Sequence, residues 1–183
     1  MAERIKNSRS IKSIESELAL ISDLGESAIK PKIINVEHHR SHLASAFFAS
    51  PFEEAAILSI DGSGDFSTTM IAIGKGNTIN VLDSVDFPVS VGLFYTAFTQ
   101  YLGFPHYGDE YKVMGLAPYG KPIYFDQISK IFKLTNNGLF KWDSSYFVNV
   151  NQIKLEYTSN IPVISTLFGK KMIDIFGKPR LPN

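Results

Sequence analysis

The sequence contains no cysteine, which excludes disulfide cross-links and thiolate chemistry and suits a reducing compartment. It also lacks a net charge: Lys and Arg total 18, and so do Asp and Glu. No global field therefore recruits nucleic acid or anionic lipid. No apolar run approaches the roughly 20 residues needed to span a bilayer. The opening MAERIKNSRSIK is basic, like the start of a signal peptide, but Glu15, Glu17 and Asp23 interrupt what would be its apolar core. A soluble, unexported, cytoplasmic protein is expected, with neither nucleic acid nor membrane as a partner.

What is present suits a globular fold. Hydrophobic residues make up 44% of the 183, with 14 Phe and 8 Tyr to bury. That is enough for one domain with a core, or for one lobe of something larger. Ile11, Ile14, Leu18, Ile21 and Leu24 recur at helical spacing, with Ser10 or Ser13 as N-cap and Gly25 as the stop. KIINV (32–36) reads as a short buried strand, and HHRSHLASAFFAS as a helix closed by Ser50-Pro51.

Three strands are expected next, EAAILSI, FSTTMIAIG and NTINVLDSVDF, joined as hairpins by DGSGD and KGN. VGLFYTAFTQYLGF reads as a long helix, GDEYKVMGLAPYG as a loop entering a short helix, and residues 123–133 as an amphipathic helix. Beyond that the pattern weakens into short strand-like pieces and turns.

Three of the four histidines fall within HHRSH. His38 and His42 are four apart, so on a helix they share one face at the spacing that chelates a cation. A metalloprotease motif would need Glu where His39 stands, so that class is rejected. On spacing alone, a metal pair and a pair that caps or solvates a helix start both remain open.

DGSGD follows a strand, and its glycines permit a backbone nest for an anion, with Asp61 placed to ligate a metal. An ordinary Asp-Gly turn is the competing reading. An EF-hand is excluded because the twelfth position from Asp61 is Ala72, and no Walker loop occurs. In GDEYKVMGLAPYG, Glu110, Lys112 and Gly115 suit either a nucleotide's edge or a solvated charged turn. His106 sits alone in a Pro/Gly turn and carries no expectation.

VEHHRSHLASAFFASPF, ILSIDGSGDFSTT, VGLFYTAFTQYLGF and EYKVMGLAPYG, in this order, resemble the NodU/CmcH/TobZ-type O-carbamoyltransferases. Those enzymes modify nodulation factors, cephalosporins and aminoglycosides. The similarity runs from about residue 30 to the closing FGKPRLP.

The resemblance implies an α/β fold, a mixed sheet with flanking helices, as a partial lobe of an actin/hexokinase/Hsp70-like domain. Residues 1–30 would be a leader with an amphipathic helix and 31–183 an incomplete lobe. In such enzymes a YrdC-like domain makes carbamoyl-adenylate from ATP and carbamoyl phosphate. The domain seen here would hold that adenylate on a divalent metal and pass the carbamoyl group to a small-molecule hydroxyl.

By motif, His38, His42 and Asp61 become metal ligands, for iron(II) first and zinc or manganese as alternatives. Gly62, Ser63, Gly64 and Asp65 would line the phosphate side, Glu110, Lys112 and Gly115 would border the nucleotide, and His39 would take the hydroxyl proton.

Family members run to several hundred residues. The early HDSS-like segment, the second lobe with its further Asp ligand and the YrdC-like domain have no counterpart in this sequence. A separate chain carrying the remaining lobe is the expected partner, and little transferase activity is expected of this chain alone. The alternative is a non-catalytic remnant that binds metal or nucleotide, or only mediates an interaction.

Overall fold

The computed structural model describes residues 14–30, 33–158 and 161–182. It divides into two units, residues 1–36 and 37–183. In the first, α1 (Ile14–Ile21) is followed by the short α2 (Glu26–Ile29). Gly25, expected to stop the first helix, instead occupies the extended N-cap position of α2. The proposed caps Ser10 and Ser13, with Ile11, lie outside the described residues. Residues 33–36 carry no regular structure, although KIINV reads as a strand. They pair with no strand among the described residues, and an apolar run without a ladder has nothing to hold it extended.

The second unit opens with α3 (His38–Phe48), followed by an antiparallel meander of β1 (Glu54–Gly64), β2 (Ser67–Lys75) and β3 (Thr78–Asp86) in that spatial order. Strand alternation sends one set of side chains toward α3. Leu43 and Phe47 of α3 meet Ile57, Met70 and Ala72 there, and these five form a buried cluster. Fully burying a Leu or Phe contributes about 1.5–3 kcal/mol, so this cluster is what fixes α3 against the sheet.

The helix α4 (Val91–Tyr101) starts at Ser90, whose hydroxyl accepts the Leu93 N–H. Phe94, Phe98 and Tyr101 carry it into a second, aromatic cluster with Ile131, Tyr146, Met172 and Phe176. The short α5 (Glu110–Leu116) and α6 (Phe125–Ile128) follow. Two small hairpins, β4 (Phe132–Leu134) with β5 (Phe140–Trp142) and β6 (Leu155–Thr158) with β7 (Ile161–Ile164), precede α7 (Lys170–Phe176).

Two further expectations are corrected by the strand pairing. The helix over 123–133 ends at Ile128, because Phe132–Leu134 pair with Phe140–Trp142 around a turn in which Gly138 takes a positive φ of 81°. The sheet is not mixed: every strand pairing among the described residues is antiparallel. The architecture is a mixed α and β fold with small antiparallel sheets.

Candidate metal centre

Glu37 sets where α3 begins. Its backbone is extended, and its carboxylate accepts the N–H groups of His39 at 2.9 Å and Arg40 at 2.8 Å. Asp65 accepts the His38 N–H at 2.9 Å, and the Ser41 N–H reaches the Glu37 carbonyl. Of the N–H groups that a helix start leaves open, those of His38, His39 and Arg40 are thus paired by side chains, with two carboxylates at the positive end of the dipole.

Starting the helix there puts His38 and His42 one turn apart, and their rings converge. The Nε2 atoms lie 3.0 Å apart. Asp61 Oδ2 lies 2.8 Å from His38 Nε2 and 3.6 Å from His42 Nε2. Ligands held at about 2.1 Å from one ion at angles of about 90–109° stand roughly 3.0–3.4 Å apart. The observed separations of 2.8, 3.0 and 3.6 Å bracket that range, and all three residues remain reachable from solvent, at 40%, 52% and 40% exposure for His38, His42 and Asp61. Two neutral imidazoles and a carboxylate suit iron(II), zinc or manganese. The donor set fits a divalent cation.

Asp61 reaches the imidazoles because the strand bulges. The ladder is regular up to Ile60 opposite Thr69 and resumes at Gly64 opposite Ser67, leaving Asp61, Gly62 and Ser63 outside the regular pairing. Extra residues in one strand re-aim side chains in this way. Of DGSGD, expected to be the hairpin loop itself, residues 61–64 are therefore the irregular end of β1, and the turn is Asp65–Phe66, with Asp65 at φ 49°. The Gly62 N–H is turned back to Asp61 Oδ1 at 2.6 Å. Burial pushes the Asp61 carboxyl pKa up. The His38 hydrogen bond, the Gly62 N–H and the two imidazole charges outweigh it and hold the net value below the ordinary 3.8.

His39, expected to take a hydroxyl proton, points the other way. It is fully buried, its Nε2 donates to the Ser67 carbonyl at 3.0 Å, and its Nδ1 lies 2.8 Å from the Ser59 hydroxyl. Both ring nitrogens are used inside the fold, so His39 has no reach to a substrate hydroxyl in this arrangement.

Among known proteins, residues 3–183 match the carbamoyltransferase N-terminus family. The chain belongs to that family. It is 42% identical over 168 residues to the uncharacterized protein sll1178 of Synechocystis sp., a stretch covering 91% of this chain and 25% of that protein. It is 38% identical over 148 residues to nodulation protein NolNO of Sinorhizobium fredii, covering 77% and 22%. Nodulation protein NolO of Bradyrhizobium diazoefficiens is 40% identical over 129 residues, covering 70% and 22%. The chain spans about a quarter of the length of these curated relatives.

Within this carbamoyltransferase N-terminal domain, the residues expected around a nucleotide are largely engaged with the protein. Glu110 accepts from Thr96 of α4 at 2.6 Å. Lys112 bonds Asp109 at 2.6 Å, and Asp65 caps α3. The Asp109 carboxyl is pushed up by burial and pulled further down by Lys112 and by the His106 N–H, for a net lowering. Ser63 is half-buried in the bulge, and Gly115 faces open space. Gly64 has a clear role, because the His38 ring fills the space a side chain would occupy there. Asp65, Glu110 and Lys112 thus spend their charges on protein partners in this structure.

The sequence reading passed over Glu37, Ser59, Ser90 and Gly92. Ser90 was open to detection as an N-cap before an apolar-periodic helix, and Gly92 as a glycine inside one. No one-dimensional signal marks Ser59.

No helix among the described residues is long and apolar enough to cross a membrane.

Proposed function

We propose that this domain supplies the cation-holding wall of an O-carbamoyltransferase, in which the carbamoyl group of carbamoyl-adenylate passes to a hydroxyl of a small-molecule acceptor. The fold would be one lobe of an actin/hexokinase/Hsp70-like domain. The observation that carries this reading is the convergence of His38 Nε2, His42 Nε2 and Asp61 Oδ2 within 4.8 Å of one another, in a member of a carbamoyltransferase family.

A bound divalent cation would supply charge neutralisation at the phosphate of the leaving nucleotide. The chain's own residues act by holding. His38 and His42 present Nε2 from consecutive turns of α3, and Asp61 presents Oδ2 from the bulge. His39 anchors the helix to the sheet through Ser59 and the Ser67 carbonyl, so that its neighbours keep their aim. A base that takes the hydroxyl proton is not assigned to this chain.

Titration of iron(II) or zinc tests the reading. The wild-type chain is expected to bind one equivalent, and the His38→Ala/His42→Ala double variant none. Equal binding by the two would sink it. Because the ligand face is open to solvent on one side, turnover of ATP, carbamoyl phosphate and an acceptor by this chain alone is expected to be negligible.

A second reading, a metal-binding module without transfer, draws on one observation: Asp65, Glu110 and Lys112 already use their charges inside the fold. Nucleotide binding by equilibrium dialysis, present in the first case and absent in the second, separates the two.

A further inference from the structure

The start of α4 presses on the backbone of the ligand strand. Ser90 is fully buried. Its hydroxyl accepts the Leu93 N–H at 3.0 Å, donates to the Gly62 carbonyl at 2.7 Å, and lies 3.2 Å from the Asp61 carbonyl. Two residues on, a β-carbon at Gly92 would stand 2.6 Å from both Cα and N of Gly62 and 3.0 Å from the Asp61 carbonyl carbon. Those neighbours are backbone atoms, so they cannot rotate out of the way.

We infer that Ser90 and Gly92 are positioning residues that set the affinity of the metal centre by fixing the Asp61–Gly62 peptide plane. The inference rests on His38, His42 and Asp61 being the cation ligands. A peptide unit is rigid, so the Gly92 backbone against the Asp61 carbonyl carbon and Gly62 N, with the Ser90 hydroxyl lying against the carbonyls on both sides of Gly62, also holds the Gly62 N–H. That N–H binds Asp61 Oδ1 at 2.6 Å, which leaves Oδ2 turned toward the imidazoles. Tilting the plane would release Oδ1 and let the carboxylate swing away from His38 and His42. Outer contacts of this kind orient ligands at metal sites generally.

Two substitutions separate positioning from plain helix building. At an N-cap, glycine is nearly as good as serine, and inside a helix alanine is better than glycine. If Ser90 and Gly92 only built α4, Ser90→Gly would be nearly silent and Gly92→Ala would be stabilising. Positioning requires both to weaken metal binding.

The test is titration of zinc into the full chain as wild type, Ser90→Gly, Gly92→Ala and His42→Ala, with the visible spectrum of the cobalt(II) form as a reporter of ligand geometry. Ser90→Gly and Gly92→Ala are expected to bind about tenfold more weakly, with an altered cobalt spectrum and native circular dichroism. Wild-type affinity and spectrum in both would overturn the positioning role while leaving the ligands standing. If His42→Ala binds as well as wild type, the ligand assignment falls, and the positioning role with it. Should Gly92→Ala not fold, Ser90→Gly decides alone.

Discussion

The imidazole of His38 occupies the space that a β-carbon on Gly64 would need: Cδ2 and Cγ lie 1.9 Å and 2.2 Å from that position. The ring rests against bare backbone of the same bulged strand that carries Asp61, and this contact aims Nε2 at the carboxylate.

Gly64→Ala is accordingly expected to act on binding more than on folding. The His38 ring is partly exposed and can swing aside, so the stability loss should stay near about 1–2 kcal/mol, the low end for overpacking. Once the ring has swung, Nε2 leaves the ligand face, and zinc affinity should fall by more than the roughly ten- to hundredfold that loss of an outer contact costs. Wild-type zinc affinity in a folded Gly64→Ala chain would contradict this placement of His38.

Three adjacent histidines should behave in two different ways. His39 is fully buried, with Ser59 and the Ser67 carbonyl as partners. His39→Ala leaves a cavity and strips both partners, and is expected to lower stability by about 2–4 kcal/mol in urea unfolding. His42→Ala, half exposed, should cost less than about 0.5 kcal/mol in the metal-free protein. A reversal of that order would show that the burial of the two rings had been misassigned.

Gly115 offers the opposite case from Gly64. A β-carbon there meets nothing within 4 Å, and the residue lies inside α5. Gly115→Ala should raise stability by about 0.5–1 kcal/mol through helix propensity. A thermal melt reads this directly, and a lowered midpoint would reveal a contact at Gly115.

Asp143 contributes to the pH dependence of stability, beside Asp61 and Asp109. The Lys171 ammonium at 2.7 Å and the Ser145 hydroxyl and N–H hold its pKa well below 3.8, with burial opposing them slightly. A folded pKa below the unfolded one means the carboxylate stabilises fully above pH 3.8 and loses that contribution as the pH falls further. Both partners are partly exposed, so Asp143→Asn should cost at most about 1 kcal/mol at pH 7. The gap between wild type and variant should close in unfolding curves below pH 3.8, and a constant gap would argue against the ion pair.

The legible parts of the sequence were those governed by short, regular spacing. His38 and His42 are readable as a pair because the helical repeat alone aligns residues four apart, and β2 and β3 followed from their apolar and β-branched runs between turn residues. Lys112 reads in the sequence as bordering a nucleotide, although Asp109, three positions before it at a helix start, offers an equally local partner. What could not be read depends on partners distant in sequence. The apolar face of IYFDQISKIFK suits a helix, yet Phe132–Leu134 found a strand across the Gly138 turn. That His39 faces inward while its two neighbours face outward is decided by Ser59 and Ser67, residues 20 and 28 positions away. Gly64 and Gly92 matter for what lies against them, and neither has the positive φ that usually explains a glycine.

Asp61 comes from a strand, whereas both imidazoles come from α3, 23 positions earlier for His38. An ion held by all three would therefore act as a staple between helix and sheet. By mass action, a ligand at 100 times its dissociation constant adds about 2.7 kcal/mol to folding. Occupancy should consequently be visible as slowed amide exchange along α3 and β1, so that the loading of the centre can be followed without any substrate.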